Sequence, residues 1–213
     1  MNFRPCFFPA VILLGCCTVA YGQQGPGTSS SKIKQKAEQH VKAQPAGTND
    51  VAAPAYQNAE FGFSYKVPYG WVERTQAMQE EANDPAKSQL LLAVFERPPE
   101  VTGDTVNSAV VITAESAASY PGLKVAAEYM GPLTELTTSK GFTVTQQPYE
   151  FTIGSTQLVR SDFAKEMGKL TMHQSSLVML HKGFVVSFTF IGGGEDEVEE
   201  LMERLSFGAA KAK

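Results

Sequence analysis

The stretch that decides the fold is Phe61-Gly62-Phe63-Ser64-Tyr65-Lys66-Val67-Pro68-Tyr69-Gly70-Trp71. From Phe61 to Val67, large apolar side chains alternate with small or polar ones, which is the period-two pattern of a strand with one buried face. Pro68-Tyr69-Gly70 has the composition of a turn, and residues 71–74 return to an extended pattern. The stretch therefore predicts a strand, a tight turn and a second extended segment.

Further strands are predicted on the C-terminal side of this stretch. The unbroken apolar run Leu90–Phe95 is typical of a strand buried on both faces, so we expect the sheet to be covered on both sides. Residues 109–113 form the next predicted strand. Four more strands are predicted at residues 142–151, 156–165, 170–180 and 184–191, joined by tight turns at Ile153-Gly154, Met167-Gly168 and Lys182-Gly183.

Two segments have the apolar spacing of helices. The first covers residues 123–139, and Pro132 inside it removes a backbone hydrogen bond, so we expect a kink or two helices in series. The second covers residues 195–205 and begins with three acidic residues, which suit the positive N-terminal end of a helix. Strands and helices together predict an α+β fold, an antiparallel sheet with helices on both faces.

The N-terminal residues have the features of an export signal. Arg4 precedes the apolar run Cys6–Leu14, and Ala20-Tyr21-Gly22 fits a small-x-small cleavage site, so residues 1–22 are predicted to be a signal peptide. Leu13-Leu14-Gly15-Cys16 also resembles a bacterial lipobox, in which the signal ends before Cys16 and that cysteine is lipidated. The two processing routes stay open at this point.

The composition of the exported chain divides it into three parts. Residues 23–57 are rich in Gly, Pro, Ser, Gln and Ala, and they contain too little apolar surface to offset the entropy of ordering. They are predicted to be a flexible tether. Residues 58–208 are predicted to form one globular domain, followed by a short tail at residues 209–213.

The order of elements and two short motifs resemble a known superfamily. Residues 61–71 are similar to the opening hairpin of PsbP-like domains, and residues 184–207 are similar to their closing strand, acidic helix and "SF" motif. The superfamily comprises the extrinsic PsbP proteins of photosystem II, the Ran-binding Mog proteins and exported bacterial lipoproteins of DcrB type. The resemblance covers about residues 58–208 and implies a PsbP-like α/β/α sandwich. It transfers no functional residue, because the matching positions are core and turn positions.

Composition excludes several classes of function. The chain has 213 residues, 43% of them hydrophobic, and a formal net charge of −4, which argues against a disordered chain and against a dedicated nucleic-acid binder. Its three cysteines all lie within the first 17 residues, so the later chain has no disulfide scaffold, thiolate zinc site or thiol nucleophile. With only three scattered histidines, no metal site and no cofactor are expected.

The most concentrated polar group is predicted in the C-terminal hairpins. A turn centred on Met167-Gly168 would place Asp162 opposite His173 and Arg160 opposite Ser175, all on one face, with Cβ atoms of Asp162 and His173 about 4.5–5.5 Å apart. A Lys182-Gly183 turn would put His173 on the apolar face of the next hairpin, so we expect a bulge at residues 173–176. These four residues are the candidate ligand-binding residues.

Two classes of function are compatible with these features. The first is a non-catalytic exported cell-envelope domain that binds a protein or an envelope component and meets the membrane only through a lipid anchor. The second is an envelope hydrolase or a small-ligand binder that uses the Asp162/His173 region, although no G-x-S-x-G elbow presents a serine. Convergence of these side chains in a cleft would favour a ligand or catalytic site, whereas a structural pair would lie flat on the sheet.

Overall fold

The computed structural model describes residues 55–80 and 88–208. The predicted signal peptide, Cys16, residues 23–54 of the predicted tether and the tail at 209–213 lie outside the described residues. In chain order the strands are β1 (Ala55–Asn58), β2 (Phe63–Lys66), β3 (Val72–Glu73), β4 (Ser88–Phe95), β5 (Ala109–Ser116), β6 (Thr143–Ile153), β7 (Thr156–Met167), β8 (Leu170–His181), β9 (Phe184–Gly192) and β10 (Leu205–Phe207). The helices are α1 (Thr75–Glu80), α2 (Ala126–Ser139) and α3 (Glu195–Met202), and a 3₁₀ turn covers Ala117–Ser119.

The strands form two antiparallel sheets. The larger has seven strands in the order β3-β4-β5-β9-β8-β7-β6, and the smaller has three in the order β1-β2-β10. Among the described helices, none is both long and apolar enough to cross a membrane.

Both faces of the large sheet are covered, as the apolar run in β4 predicts. On one face, side chains such as Ile112 and Phe188 pack with Phe63 of the small sheet and Leu201 of α3. On the other face, Val111 packs with Met130 of α2, together with other side chains. The predicted α+β class, an antiparallel sheet with helices on both faces, is confirmed.

Two predicted boundaries need correction. Strand β1 begins at Ala55, so the last three residues of the predicted tether pair with β2, and Tyr56 packs against the core. Helix α2 runs without interruption from Ala126 to Ser139 with Pro132 inside it, so the alternative of two helices in series is wrong. Its packing against the sheet outweighs the one backbone hydrogen bond that proline cannot donate.

The register of the β7–β8 hairpin differs from the predicted one. Met167 pairs with Leu170, so the turn residues are Gly168 and Lys169 rather than Met167 and Gly168. Gly168 has φ +68°, and this positive φ at the first turn position is the pattern of a type II′ turn, which glycine adopts without a Cβ clash. The β6–β7 hairpin turns in the same way at Gly154-Ser155, whereas the predicted Lys182-Gly183 turn between β8 and β9 is found.

A slip of one residue at the turn moves each cross-strand partner by two positions. Asp162 therefore faces Ser175, Arg160 faces Leu177, and His173 faces Ala164. The predicted Asp162–His173 and Arg160–Ser175 pairs are wrong as directly opposed pairs, but the residues keep the same face because side chains alternate with period two. The predicted bulge at residues 173–176 is also wrong, since β8 pairs with both neighbours without a register shift there.

Candidate ligand-binding cleft

A cleft of about 420 Å³ lies between strands β6–β8 and helix α3. We call it the Arg160 cleft. It contains all four residues singled out from the sequence, together with side chains of β6 and α3. Its lining comprises Thr145, Gln146, Tyr149, Arg160, Asp162, Phe163, His173, Gln174, Ser175, Glu195, Val198 and Glu199.

Arg160 is the centre of the polar network in this cleft and is only 8% exposed. Its Nε donates a hydrogen bond to Oδ1 of Asp162 at 2.8 Å, and its Nη2 donates to Oε1 of Glu199 at 2.5 Å. Nη2 also lies 3.2 Å from Oγ of Ser175, to which it donates. One buried guanidinium thus joins β7, β8 and α3.

Two aromatic rings of β6 flank the guanidinium. Cζ of Arg160 lies 6.0 Å from the centroid of Tyr149 and 5.3 Å from that of Phe151, within the range of cation–π attraction. Strand β6 shifts register between Val144 and Gln146 and again between Gln146 and Tyr149. These bulges change the direction of β6 beside the cleft. Between them, the carbonyl oxygen of Gln146 accepts a hydrogen bond from the Ser161 hydroxyl at 2.8 Å.

Helix α3 brings carboxylates to the cleft because its start is fixed. Gly194 is its N-cap, and the Glu197 side chain accepts hydrogen bonds from the Gly193 N–H at 2.8 Å and from the Ser108 hydroxyl. Val198, Leu201 and Met202 of the same helix are buried in the core. Glu195 and Glu199, one helical turn apart, therefore stand at the rim above Arg160.

The ionisation of the cleft follows from this geometry. Burial alone would lower the pKa of Arg160, but the hydrogen bonds to Glu199 and Asp162 and their charges raise it above the ordinary value. The pKa of Tyr149 is raised, first by burial and then by the carboxylates of Asp162 and Glu199, although the charge of Arg160 opposes this. Arg160 therefore keeps its positive charge and Tyr149 keeps its proton at neutral pH.

The hydrolase triad is not assembled among the described residues. The Ser175 hydroxyl donates directly to Oδ1 of Asp162, with no histidine between them, and Ser175 is only 2% exposed. His173 lies in the same cleft, but its Nδ1 is 3.8 Å from Oε1 of Glu195. Without a histidine beside it, this buried serine is not part of a Ser-His-Asp arrangement.

The sequence did not single out Tyr149 and Glu199 as part of this site. Glu199 has the pattern of a solvated helix face, and the only available signal was its place next to the apolar stripe that includes Val198 and Met202. Tyr149 reaches Arg160 through the two register shifts of β6, which the strand pattern does not reveal. In the described part of the chain, no group of three or more His, Cys, Asp or Glu side chains is placed to hold a metal ion.

Solved structures with similar folds were found, although no protein-family model and no curated protein matches the chain. A crystal structure from Bacteroides thetaiotaomicron VPI-5482 aligns at 14% identity and TM-score 0.40, over 76% of this chain and 51% of that one. Cyanobacterial PsbP from Synechocystis sp. PCC 6803 aligns at 14% identity and TM-score 0.47, over 77% of this chain and 98% of its own. The Ran-binding protein Mog1p of Saccharomyces cerevisiae aligns at 10% identity and TM-score 0.43, over 72% and 94%.

The architecture predicted from the sequence, an antiparallel sheet with helices on both faces, is seen in the described residues. The chain spans about half the length of the Bacteroides protein and nearly the whole length of PsbP and Mog1p. At these identities the likeness concerns the fold and identifies neither a ligand nor a partner.

Proposed function

We propose that this chain is a non-catalytic, exported binding domain of the cell envelope, and that its ligand or protein partner docks in the Arg160 cleft. The observation that carries the proposal is the buried Arg160 guanidinium, held by two carboxylates beside an open cleft of about 420 Å³. A buried ion pair contributes little net stability, so its place beside a ligand-sized cleft favours a binding role.

The binding role is favoured over the hydrolase. A Ser-His-Asp hydrolase needs an exposed serine that hydrogen-bonds a histidine, whereas the Ser175 hydroxyl is buried and donates a hydrogen bond to Asp162. It is also favoured over a carrier of apolar ligands, because most of the lining side chains are polar or charged. No step of the proposal requires a cofactor.

The cellular setting in this proposal comes from sequence features. Residues 1–22 are an export signal, or residues 1–15 are the signal of a lipoprotein anchored through Cys16. Residues 23–54 are the tether and residues 55–208 the binding domain. In the lipoprotein route a lipid anchor alone would hold the domain near the membrane surface. In either route the domain would present its cleft to proteins or envelope components.

A spectroscopic titration tests the proposed site. The exported form of the chain, labelled with ¹⁵N, is titrated with solubilised fractions of the envelope, and amide shifts are followed. We expect the shifts to cluster at residues 144–149, 160–163, 173–176 and 195–199. Shifts that cluster elsewhere, or no shifts with any fraction, would overturn the proposal.

Two variants make the titration specific. Glu199→Gln removes a rim carboxylate and should reduce the shifts, while Glu100→Gln removes the carboxylate of the Arg74–Glu100 ion pair outside the cleft and should not. The Glu199 side chain is about half exposed on α3 and is not part of the core, so its substitution leaves the core intact. Equal responses of the two variants would contradict docking at the cleft.

A further inference from the structure

The Arg160 cleft holds hydrogen-bonding groups that the protein itself does not use. Arg160 engages Nε and Nη2, but no hydrogen bond joins its Nη1 to a described residue. Nη1 is not among the fully buried unpartnered atoms of the described chain, so part of its surface is accessible to solvent, and Arg160 lines the cleft. Oδ2 of Asp162 and Oε2 of Glu199 likewise have no partner among the described residues, because both carboxylates bond through their other oxygen.

These free groups are fixed in position before any ligand arrives. Arg160 is held by Asp162, Glu199 and Ser175, and the Ser175 hydroxyl donates to Asp162 in turn. A donor and two acceptors therefore point from rigid elements, which lowers the entropy that a ligand would lose on binding. The half-buried ring of Tyr149 supplies an apolar surface beside them.

The charges of the cleft disfavour an anionic ligand. Three carboxylates, those of Asp162, Glu195 and Glu199, line it against the single guanidinium of Arg160. The excess of negative charge would repel a phosphate or carboxylate, and Arg160 already has its own two counter-ions. A purely cationic ligand would satisfy the acceptor oxygens but would leave the N–H groups of Nη1 without an acceptor.

We propose that the Arg160 cleft binds a sugar ring. This inference rests on the proposed function and names the ligand class of the same site. A ring hydroxyl is both donor and acceptor, so neighbouring hydroxyls can donate to Asp162 or Glu199 while accepting from Nη1 of Arg160. The apolar C–H face of the ring packs on the Tyr149 ring. The cleft volume of about 420 Å³ is in the range of small-molecule sites, about 300–1,000 Å³.

A sugar ring reaches such a cleft either as a free saccharide or as a unit of an envelope glycan. The test therefore has two arms. In the first, the exported form of the chain is titrated with glucose, N-acetylglucosamine and their β-linked disaccharides in ¹⁵N spectra and by calorimetry. In the second, it is sedimented with purified peptidoglycan. A response in the first arm alone identifies a free saccharide, and binding in both arms identifies a glycan.

Matched variants decide whether the response belongs to this cleft. Tyr149→Ala and Glu199→Gln should each weaken binding about tenfold or more, while Tyr69→Ala, at a tyrosine that is 88% exposed outside the cleft, should change it less than about twofold. Binding of a neutral sugar should persist at 0.5 M NaCl, since screening acts on charged ligands. Circular dichroism checks that each variant is folded.

Three outcomes would overturn the sugar assignment. The first is that no saccharide or glycan shifts cleft resonances, although envelope fractions do, in which case the binding cleft stands and only the ligand class is wrong. The second is that spermidine binds and is released by salt, which would assign a cationic ligand. The third is that Tyr69→Ala weakens sugar binding as much as Tyr149→Ala. If neither envelope fractions nor sugars shift the resonances of the cleft residues, the proposed function is overturned as well.

Discussion

Arg160 and Asp162 lie on the same face of β7, and the Nε of Arg160 donates a hydrogen bond to Oδ1 of Asp162 over 2.8 Å. Because Asp162 faces Ser175 across the sheet, the same carboxylate oxygen also accepts from that hydroxyl. Glu199 of α3 accepts a further hydrogen bond, from Nη2 of Arg160. Hydrogen bonds thus join the polar residues on one face of β7 with Ser175 and Glu199 in a single network beside the cleft.

The burial of this pair predicts its contribution to stability. Asp162→Asn should lower the free energy of unfolding by about 1.5–3 kcal/mol, the range for a hydrogen bond to a charged group. Glu100→Gln, in the Arg74–Glu100 pair with the glutamate 60% exposed, should cost about 0–1 kcal/mol. Urea unfolding of both variants measures the difference. Equal small costs would show that solvent screens the Arg160 pair.

Ser175 is predicted not to react as a hydrolase nucleophile. Its hydroxyl is buried and donates to Asp162, so a fluorophosphonate probe for activated serines should leave it unlabelled. Mass spectrometry of the treated chain, produced without residues 1–22, measures the labelling. A label on Ser175 that disappears in His173→Ala would revive the hydrolase hypothesis.

Truncation separates the predicted tether from the domain. Removal of residues 23–54 should leave Tm within about 2–4 °C of that of the chain beginning at residue 23, equivalent to about 1 kcal/mol for a domain of this size. Removal of residues 23–58 should lower Tm by clearly more, because β1 pairs with β2 and the Tyr56 ring lies 5.9 Å from that of Phe63. Differential scanning calorimetry compares the two. A large drop with the shorter deletion would contradict the tether.

The lowered pKa of Glu128 leads us to predict that the stability of the fold depends on pH. Its carboxylate accepts hydrogen bonds from the backbone N–H groups of Lys124 and Val125, which lower its pKa below the ordinary 4.5. A lowered folded-state pKa stabilises the fold above the unfolded value, and this contribution is lost as pH falls through the folded value. Glu128→Gln should therefore lower Tm at pH 7, with the difference shrinking below about pH 4. A difference that does not change with pH would contradict this capping role.

Much of the fold could be predicted from periodicity and turn residues. The alternation in residues 61–67 and the apolar run in β4 indicate which faces are buried. The Lys182-Gly183 turn was placed correctly because its glycine stands second in the turn, as predicted. Both residues take positive φ, 48° and 80°, as in a type I′ turn. Gly168 instead stands first in its turn, and a lone glycine does not reveal which turn position it occupies. The β7–β8 register was therefore wrong by one residue at the turn.

From the sequence, only the part of the site that lies in the β7–β8 hairpin could be predicted. Arg160, Asp162, His173 and Ser175 share a face in either register, because the error moved partners by an even number of positions. Glu199 belongs to a helix and lies 39 residues after Arg160 in the chain. Tyr149 is brought beside Arg160 by two register shifts of an edge strand. Helix docking and bulges depend on tertiary packing, which local patterns do not specify. The cleft also explains why the polar residues His173 and Ser175 precede Leu177 on the same face without a bulge.

A photoreactive side chain in the cleft tests the central claim most directly. p-Benzoylphenylalanine is placed at Thr145, which lines the Arg160 cleft, or at Tyr69, which is exposed outside it. Cells that produce each form are irradiated, and adducts of the chain are resolved by mass. We predict a light-dependent adduct at position 145 at least about fivefold stronger than at 69, and weakened by Glu199→Gln. No adduct at position 145, or equal yields at the two positions, would contradict ligand binding in the cleft.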